Sequence, residues 1–133
     1  VSEDQQQAAP IVVLVDDDQA VRNAVRFSLE LDGFSVRSFT DGEALFDRPE
    51  LCAGSCLVID YHMPELNGLD LLRVLRGLGI TAPAILITAD ASDAVRLRAR
   101  SNGVLVVEKP ALADLSDKVR ELLAASGNRP AGR

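Results

Sequence analysis

Hydrophobic positions along the chain alternate between short solid runs and four-residue spacings. Residues 11–15 (IVVLV) form a β-branched run without alternation, the pattern of a strand buried on both faces. The run stops abruptly at Asp16, Asp17 and Asp18. From Gln19 the spacing turns helical, with Val21, Val25 and Leu29 at four-residue steps and Gly33 predicting the stop. Residues 34–39 (FSVRSF) alternate apolar and polar, which predicts a half-exposed strand at a sheet edge. DGEALFDR reads as a short helix halted by Pro49, and residues 55–59 (SCLVI) as a strand ending at Asp60. After a loop with Pro64, Asn67 and Gly68, a helix carries Leu71, Val74, Leu75 and Leu78 on one face. Residues 84–87 (AILI) predict a strand ending at Thr88. Residues 91–101 predict a helix whose apolar stripe is thin, with Arg96, Arg98 and Arg100 along it. The fifth strand is residues 104–107 (VLVV), followed by Glu108, Lys109 and Pro110. A last helix carries Leu112, Leu115, Val119 and Leu122 before the chain frays into SGNRPAGR.

Five strands alternating with five helices, with continuous apolar strands, predict an α/β fold: a parallel sheet covered on both faces. In such sheets ligands sit at the carboxyl ends of the strands, beside the reversal in strand order. The residues just past strands one, three, four and five are Asp16 and Asp17, Asp60, Thr88 and Lys109. A carboxylate cluster, a hydroxyl and an ammonium are thus expected to converge on one rim.

Composition narrows what that rim can serve. With 133 residues the chain is one domain, 47% hydrophobic and 26% charged, as in ordinary globular proteins. Residues 1–10 are polar and unpatterned and read as a flexible arm, residues 11–124 as the domain, and residues 125–133 as a disordered tail or truncated linker. The net charge of −6 disfavours direct contact with nucleic acid or an anionic membrane surface. Two cysteines and one histidine are too few for a zinc framework or a disulfide scaffold. Cys52 and Cys56 read as a loop residue and a strand residue. No apolar run reaches the length of a membrane span and no signal core is visible, so a cytoplasmic protein is expected.

Clustered carboxylates need a cation to stay ionised together. Oxygen donors without His or Cys select a hard ion, and sparse carboxylates that leave room for water favour Mg²⁺. A carboxylate on the central strand, Asp60, has the chemistry to attack phosphorus and form an acyl phosphate. The charge that develops on the phosphoryl oxygens calls for Mg²⁺, Lys109 and Thr88. Each residue alone has a plainer reading. Asp18 reads as a helix N-cap, Thr88 as a strand-end hydroxyl, and Lys109 as a solvated surface charge. The coincidence of suitable types at four independent strand ends favours the site.

At this point the motifs resemble a known family. VLVDDDQAVR around Asp16 and Asp17, VIDYHMPELNGLDLL around Asp60, ILITA at Thr88 and Ala89, and VVEKP at Lys109 and Pro110 are similar to the receiver domains of bacterial two-component response regulators, notably the FixJ and NtrC types. The element Asp60, Met63, Pro64, Gly68 is specific by itself. The resemblance implies a single (βα)5 doubly wound, five-stranded parallel sheet of strand order 2-1-3-4-5, flavodoxin-like or CheY-like. It implies a signalling phosphoacceptor rather than an enzyme, with Asp60 taking a phosphoryl group from a phosphohistidine on a sensor histidine kinase or histidine phosphotransfer protein. Asp17 and Asp60 would bind Mg²⁺ directly, Asp16 largely through water, and the His62 backbone carbonyl would complete the protein ligands. Thr88 and Lys109 would contact the phosphoryl oxygens, small Ala89 would leave access, and the Lys109–Pro110 peptide is expected to be cis. The family usually carries an aromatic residue or His three positions before the lysine, where this chain has Val106. His62 and Asp90 occupy positions that tune dephosphorylation in the family.

Two other classes compete on the residues alone. Asp16 and Asp18 fit the Asp-x-Asp of a haloacid-dehalogenase-like phosphohydrolase with Asp16 as nucleophile, and a receiver-like interaction module would need no phosphate at all. A flavodoxin-type flavin site is disfavoured, because three aspartates after strand one would repel the phosphate. Phosphorylation is expected to alter self-association or partner binding through the fourth helix, fifth strand and fifth helix, and in a homodimer Arg96, Arg98 and Arg100 could face acids such as Asp114 and Asp117 of a second molecule. The stretch after Pro110 is long enough for one helix and a tail, so a stand-alone receiver or one cut from a longer regulator or hybrid kinase is expected.

Overall fold

The computed structural model describes residues 9–109 and 112–127. Its strands are β1 (Ile11–Val15), β2 (Ser35–Phe39), β3 (Ser55–Asp60), β4 (Ala84–Thr88) and β5 (Leu105–Glu108). Its α-helices are α1 (Gln19–Leu31), α2 (Glu43–Asp47), α3 (Gly68–Gly77), α4 (Asp93–Ser101) and α5 (Leu112–Gly127), with a 3₁₀ turn at Pro49–Cys52. All pairings are parallel and the order is β2-β1-β3-β4-β5, as the family resemblance implies.

The solid apolar runs are solid because both faces of the central strands are covered. Val13 and Val15 of β1, Leu57 and Ile59 of β3 and Leu86 of β4 point to one core, shared with Leu45 of α2, Leu71 and Leu75 of α3 and Val95 and Ala99 of α4. The alternate residues Val12, Leu14, Val58, Ile85 and Ile87 point to the other, against Val25 and Leu29 of α1 and Leu115 and Val119 of α5. Strand β2 alternates as an edge strand should, with Val36 buried and Ser35 and Arg37 exposed. At the opposite edge, β5 is less covered than its apolar run predicts. It starts at Leu105, leaves that side chain exposed, and buries only Val107 fully.

Helix ends follow local chemistry. Asp18 caps α1 as expected, accepting from the N–H groups of Ala20 at 2.9 Å and Val21 at 3.3 Å. Gly33 ends α1 at φ +97°, and the N–H of Phe34 returns to Leu29 O at 3.1 Å. Helix α4 begins two residues later than the spacing suggests, because Ser92 is its cap and accepts from Val95 N–H at 3.3 Å. Pro49 does not lead into open loop but starts the 3₁₀ turn, with Cys52 buried at its end. Helix α5 runs to Gly127, past the boundary expected at 124, with Leu122 and Leu123 still packed on the core.

The chain moves from β1 outward to β2, then crosses back over β1 to start β3. The order therefore reverses between β1 and β3, and the carboxyl ends of those two strands flank the crevice this leaves.

Candidate functional site

Three consecutive aspartates follow β1, and each meets a different environment. Asp16 keeps the sheet ladder going by donating its N–H to Phe39 O at 3.1 Å, which turns its side chain inward to full burial. Its Oδ1 accepts from the N–H of Asp18 at 2.9 Å, and the carbonyl between Asp16 and Asp17 accepts from Arg22 Nη1 at 2.8 Å. Its Oδ2 is buried, lies 3.3 Å from Lys109 Nζ, and makes no hydrogen bond of adequate geometry. Asp17 stays exposed, and Asp18 is spent on the helix cap.

Asp60 ends β3 and is 2% exposed. Its Oδ1 accepts from His62 N–H at 3.3 Å and lies 3.3 Å from Lys109 Nζ. Single carboxylate oxygens of Asp16, Asp17 and Asp60 all lie within 4.8 Å of one another. Burial, and then the charge of Asp16, push the Asp60 carboxyl up to about 6, although Lys109 and the His62 N–H pull the other way. For Lys109 burial opposes the charge, yet Asp60 and Asp16 together hold the ammonium above its usual value. One ammonium shared by two buried carboxylates satisfies itself but not both of them.

The loop after Asp60 explains why the motif needs its glycine. The N–H of Gly68 donates to Tyr61 O at 2.8 Å, which draws the start of α3 against the end of β3. A Cβ at position 68 would run into the Asp60 carbonyl. Glu65 adopts a left-handed φ of 72°, and Asn67 caps α3 by accepting from Asp70 N–H at 2.9 Å. Met63 packs against the α2–α3 core.

Thr88 is fully buried at the end of β4, with Oγ1 donating to Asp90 O at 3.2 Å and accepting from Asp90 N–H at 3.1 Å. Its carbonyl accepts from Lys109 N–H at 2.8 Å, so the lysine backbone is registered on β4. Ala89 is exposed beside it and His62 is exposed beyond Asp60. Val106 is half-buried and packs against the α4 side of the sheet. Pro110, expected to follow a cis peptide, lies outside the described residues. Two residues of the surroundings escaped the sequence reading. Arg22 stands one turn beyond the Asp18 cap, a spacing that brings its guanidinium back over the aspartate turn. Tyr61 is an aromatic residue directly after the strand end, and it is buried.

A buried carboxylate oxygen without a hydrogen bond, in a group of three acids that offers only oxygen ligands, fits a hard divalent cation. Residues 12–120 match the family described as response regulator receiver domain. The chain belongs to that family. Response regulator MprA of Mycobacterium tuberculosis is 38% identical over 114 residues, covering 84% of this chain and 50% of that protein. The chain thus spans about half the length of the curated relatives it matches. The response regulator StyR is 32% identical with a TM-score of 0.80, over 95% of this chain and 65% of that one. The receiver domain of the Francisella response regulator 1452 is 26% identical with a TM-score of 0.79, over 88% and 98%. As a response regulator receiver domain, the protein is a signalling module of two-component systems. No helix among the described residues is long and apolar enough to cross a membrane.

Proposed function

We propose that this receiver domain accepts a phosphoryl group on Asp60 from a phosphohistidine of a sensor histidine kinase or a histidine phosphotransfer protein. The observation that carries the reading is the buried Asp60 carboxylate at the switch point, with Lys109 Nζ at 3.3 Å and Asp16 and Asp17 alongside. A carboxylate oxygen of Asp60 attacks phosphorus, the P–O bond forms as the P–N bond breaks, and the imidazole leaves with its electron pair. Lys109 holds positive charge where the phosphoryl oxygens gain negative charge. Thr88 supplies a hydroxyl once it turns from Asp90, and Ala89 leaves the approach open. Mg²⁺ held by Asp17, Asp60 and the His62 carbonyl, with Asp16 acting largely through water, would supply charge neutralisation for the carboxylates and the incoming phosphate. The domain turns over no substrate of its own, and we place it in the cytoplasm with its kinase.

The output is a change of association through the face of α4, β5 and α5. That face exposes Leu97 and Leu105 beside Arg96 and Arg100. The test of the whole reading is incubation with acetyl phosphate and Mg²⁺, followed by intact mass and mapping of the acyl phosphate. One base-labile phosphoryl group on Asp60, abolished in Asp60→Asn, is expected. Label on Asp16 would favour the dehalogenase-like phosphohydrolase. No label on any residue would leave an interaction module.

A further inference from the structure

Helix α4 is lightly anchored against the sheet. Val95 and Ala99 are its buried residues, while Leu97 is 65% exposed. Among the described residues three side-chain polar ties leave it, the first a bond from Arg96 Nε to Ala91 O at 3.3 Å in the loop just before the helix. Arg96 lies 3.6 Å from Glu108 as an exposed ion pair, which contributes little. Arg98 Nη1 donates to the hydroxyl of Tyr61 at 3.0 Å, and among the described residues this is the sole side-chain hydrogen bond from α4 to anything beyond the loop that leads into it.

Tyr61 is pinned at its other end. Its N–H donates to Ile87 O at 2.8 Å and its carbonyl accepts from Gly68 N–H at 2.8 Å. Its ring is buried in the apolar cluster that holds Val95 and Ala99. The residue covalently next to Asp60 is therefore fixed in its backbone and reaches α4 through its hydroxyl. Resting on the phosphoacceptor reading above, we propose that Tyr61 and Arg98 form a latch that holds α4 in its unphosphorylated position and couples that position to the state of Asp60.

The physical argument starts at Thr88. Its hydroxyl engages the Asp90 backbone in both directions, two residues before the Ser92 cap of α4. A phosphoryl group brings about −1.5 to −2 charges and strong acceptors to the rim and competes for that hydroxyl. Loss of the Thr88–Asp90 bonds frees the segment leading into α4. Any shift of α4 then draws Arg98 away from a hydroxyl that cannot follow, because the Tyr61 backbone is held on both sides. The latch opposes the shift, and whatever weakens it favours the phosphorylated arrangement by the same factor.

Tyr61→Phe removes one oxygen and keeps the ring, and Arg98→Met keeps most of the stem. Two readouts apply, amide exchange across α4 in metal-free protein and affinity for beryllofluoride with Mg²⁺. Exchange in α4 should quicken several-fold in either variant, with β3 and β4 unchanged. Beryllofluoride should bind roughly 5-fold more tightly. The double variant should do no more than either single one, since both remove the same bond. Wild-type exchange in α4 of Tyr61→Phe, additive effects in the double variant, or faster exchange with no gain in affinity would each overturn the latch. Were wild type itself unable to bind beryllofluoride, the phosphoacceptor reading would fall, and the exchange arm alone would decide the latch.

Discussion

Lys109 Nζ lies 3.3 Å from Asp60 Oδ1, although β4 runs between the strands the two residues follow. The lysine spans that strand because its own N–H is fixed to Thr88 O, leaving the flexible stem to cross over the site. Its side chain is 19% exposed, so the pair is only partly screened by water. The consequences for stability and for chemistry differ, and each can be measured.

Removal of the lysine should be costly in both respects. Lys109→Met leaves Asp16 and Asp60 facing each other without a cation. Asp60 should then hold its proton to higher pH. Urea unfolding at pH 7 in EDTA should show a loss of about 1–3 kcal/mol, below the figure for a wholly buried pair because of the residual exposure. Phosphorylation by acetyl phosphate should slow by at least ~10²-fold, a transition-state loss of about 2.7 kcal/mol. Wild-type stability and rate together would show that the lysine is a bystander.

Asp60 should leave a signature in the pH dependence of folding. Its carboxyl titrates at about 6 when folded and near its ordinary 3.8 when unfolded. Folding therefore takes up a proton between these values, and stability falls as pH rises through that window. The shift corresponds to about 3 kcal/mol, an order-of-magnitude figure for metal-free protein. Subtracting the Asp60→Asn profile from wild type, both in EDTA, should isolate this fall. A flat difference between pH 4 and 7 would contradict it.

Gly68→Ala should damage the site from behind. The added methyl collides with the Asp60 carbonyl, so either α3 or the end of β3 must move. A stability loss of about 1–3 kcal/mol is expected, with slower phosphorylation in protein that remains folded. Gly77→Ala is the control, since a Cβ there meets open space. Its effect should be neutral or slightly stabilising. Equal behaviour of the two variants would exclude a steric cause.

Val106 and Thr88 should separate chemistry from response. Val106 is half-buried, so Val106→Ala should cost about 1–2 kcal/mol and leave the phosphorylation rate nearly unchanged. A branched, short side chain has few rotamers and no polar atom with which to report the phosphate. Thr88→Ala should still accept phosphate, but phosphorylation should add no further change to exchange in α4, because the Thr88–Asp90 bonds are already absent. A rate defect in Val106→Ala as deep as that of Lys109→Met would show that the valine shapes the site itself.

What the amino-acid sequence determined by itself was everything with a short period or a fixed position. The solid runs of β1, β3 and β4, the four-residue spacing of α1, and the Asp18 and Gly33 stops are local patterns, and each was legible for that reason. So was the gathering of Asp16, Asp17, Asp60 and Lys109, because strand ends in a parallel α/β sheet share one rim, whereas the Thr88 hydroxyl is engaged by the Asp90 backbone. The tertiary structure alone decided which of three adjacent aspartates is buried. The ladder bond from Asp16 to Phe39 turns one side chain in, the next residue faces solvent, and the third serves the helix. It also decided that VLVV is an exposed edge, since an apolar run carries no record of its neighbours. The bond from Arg98 to Tyr61 joins residues 37 positions apart, and the Lys109–Asp60 pair joins residues further apart still. Contacts of that separation depend on how helices dock on the sheet, and no local periodicity encodes them.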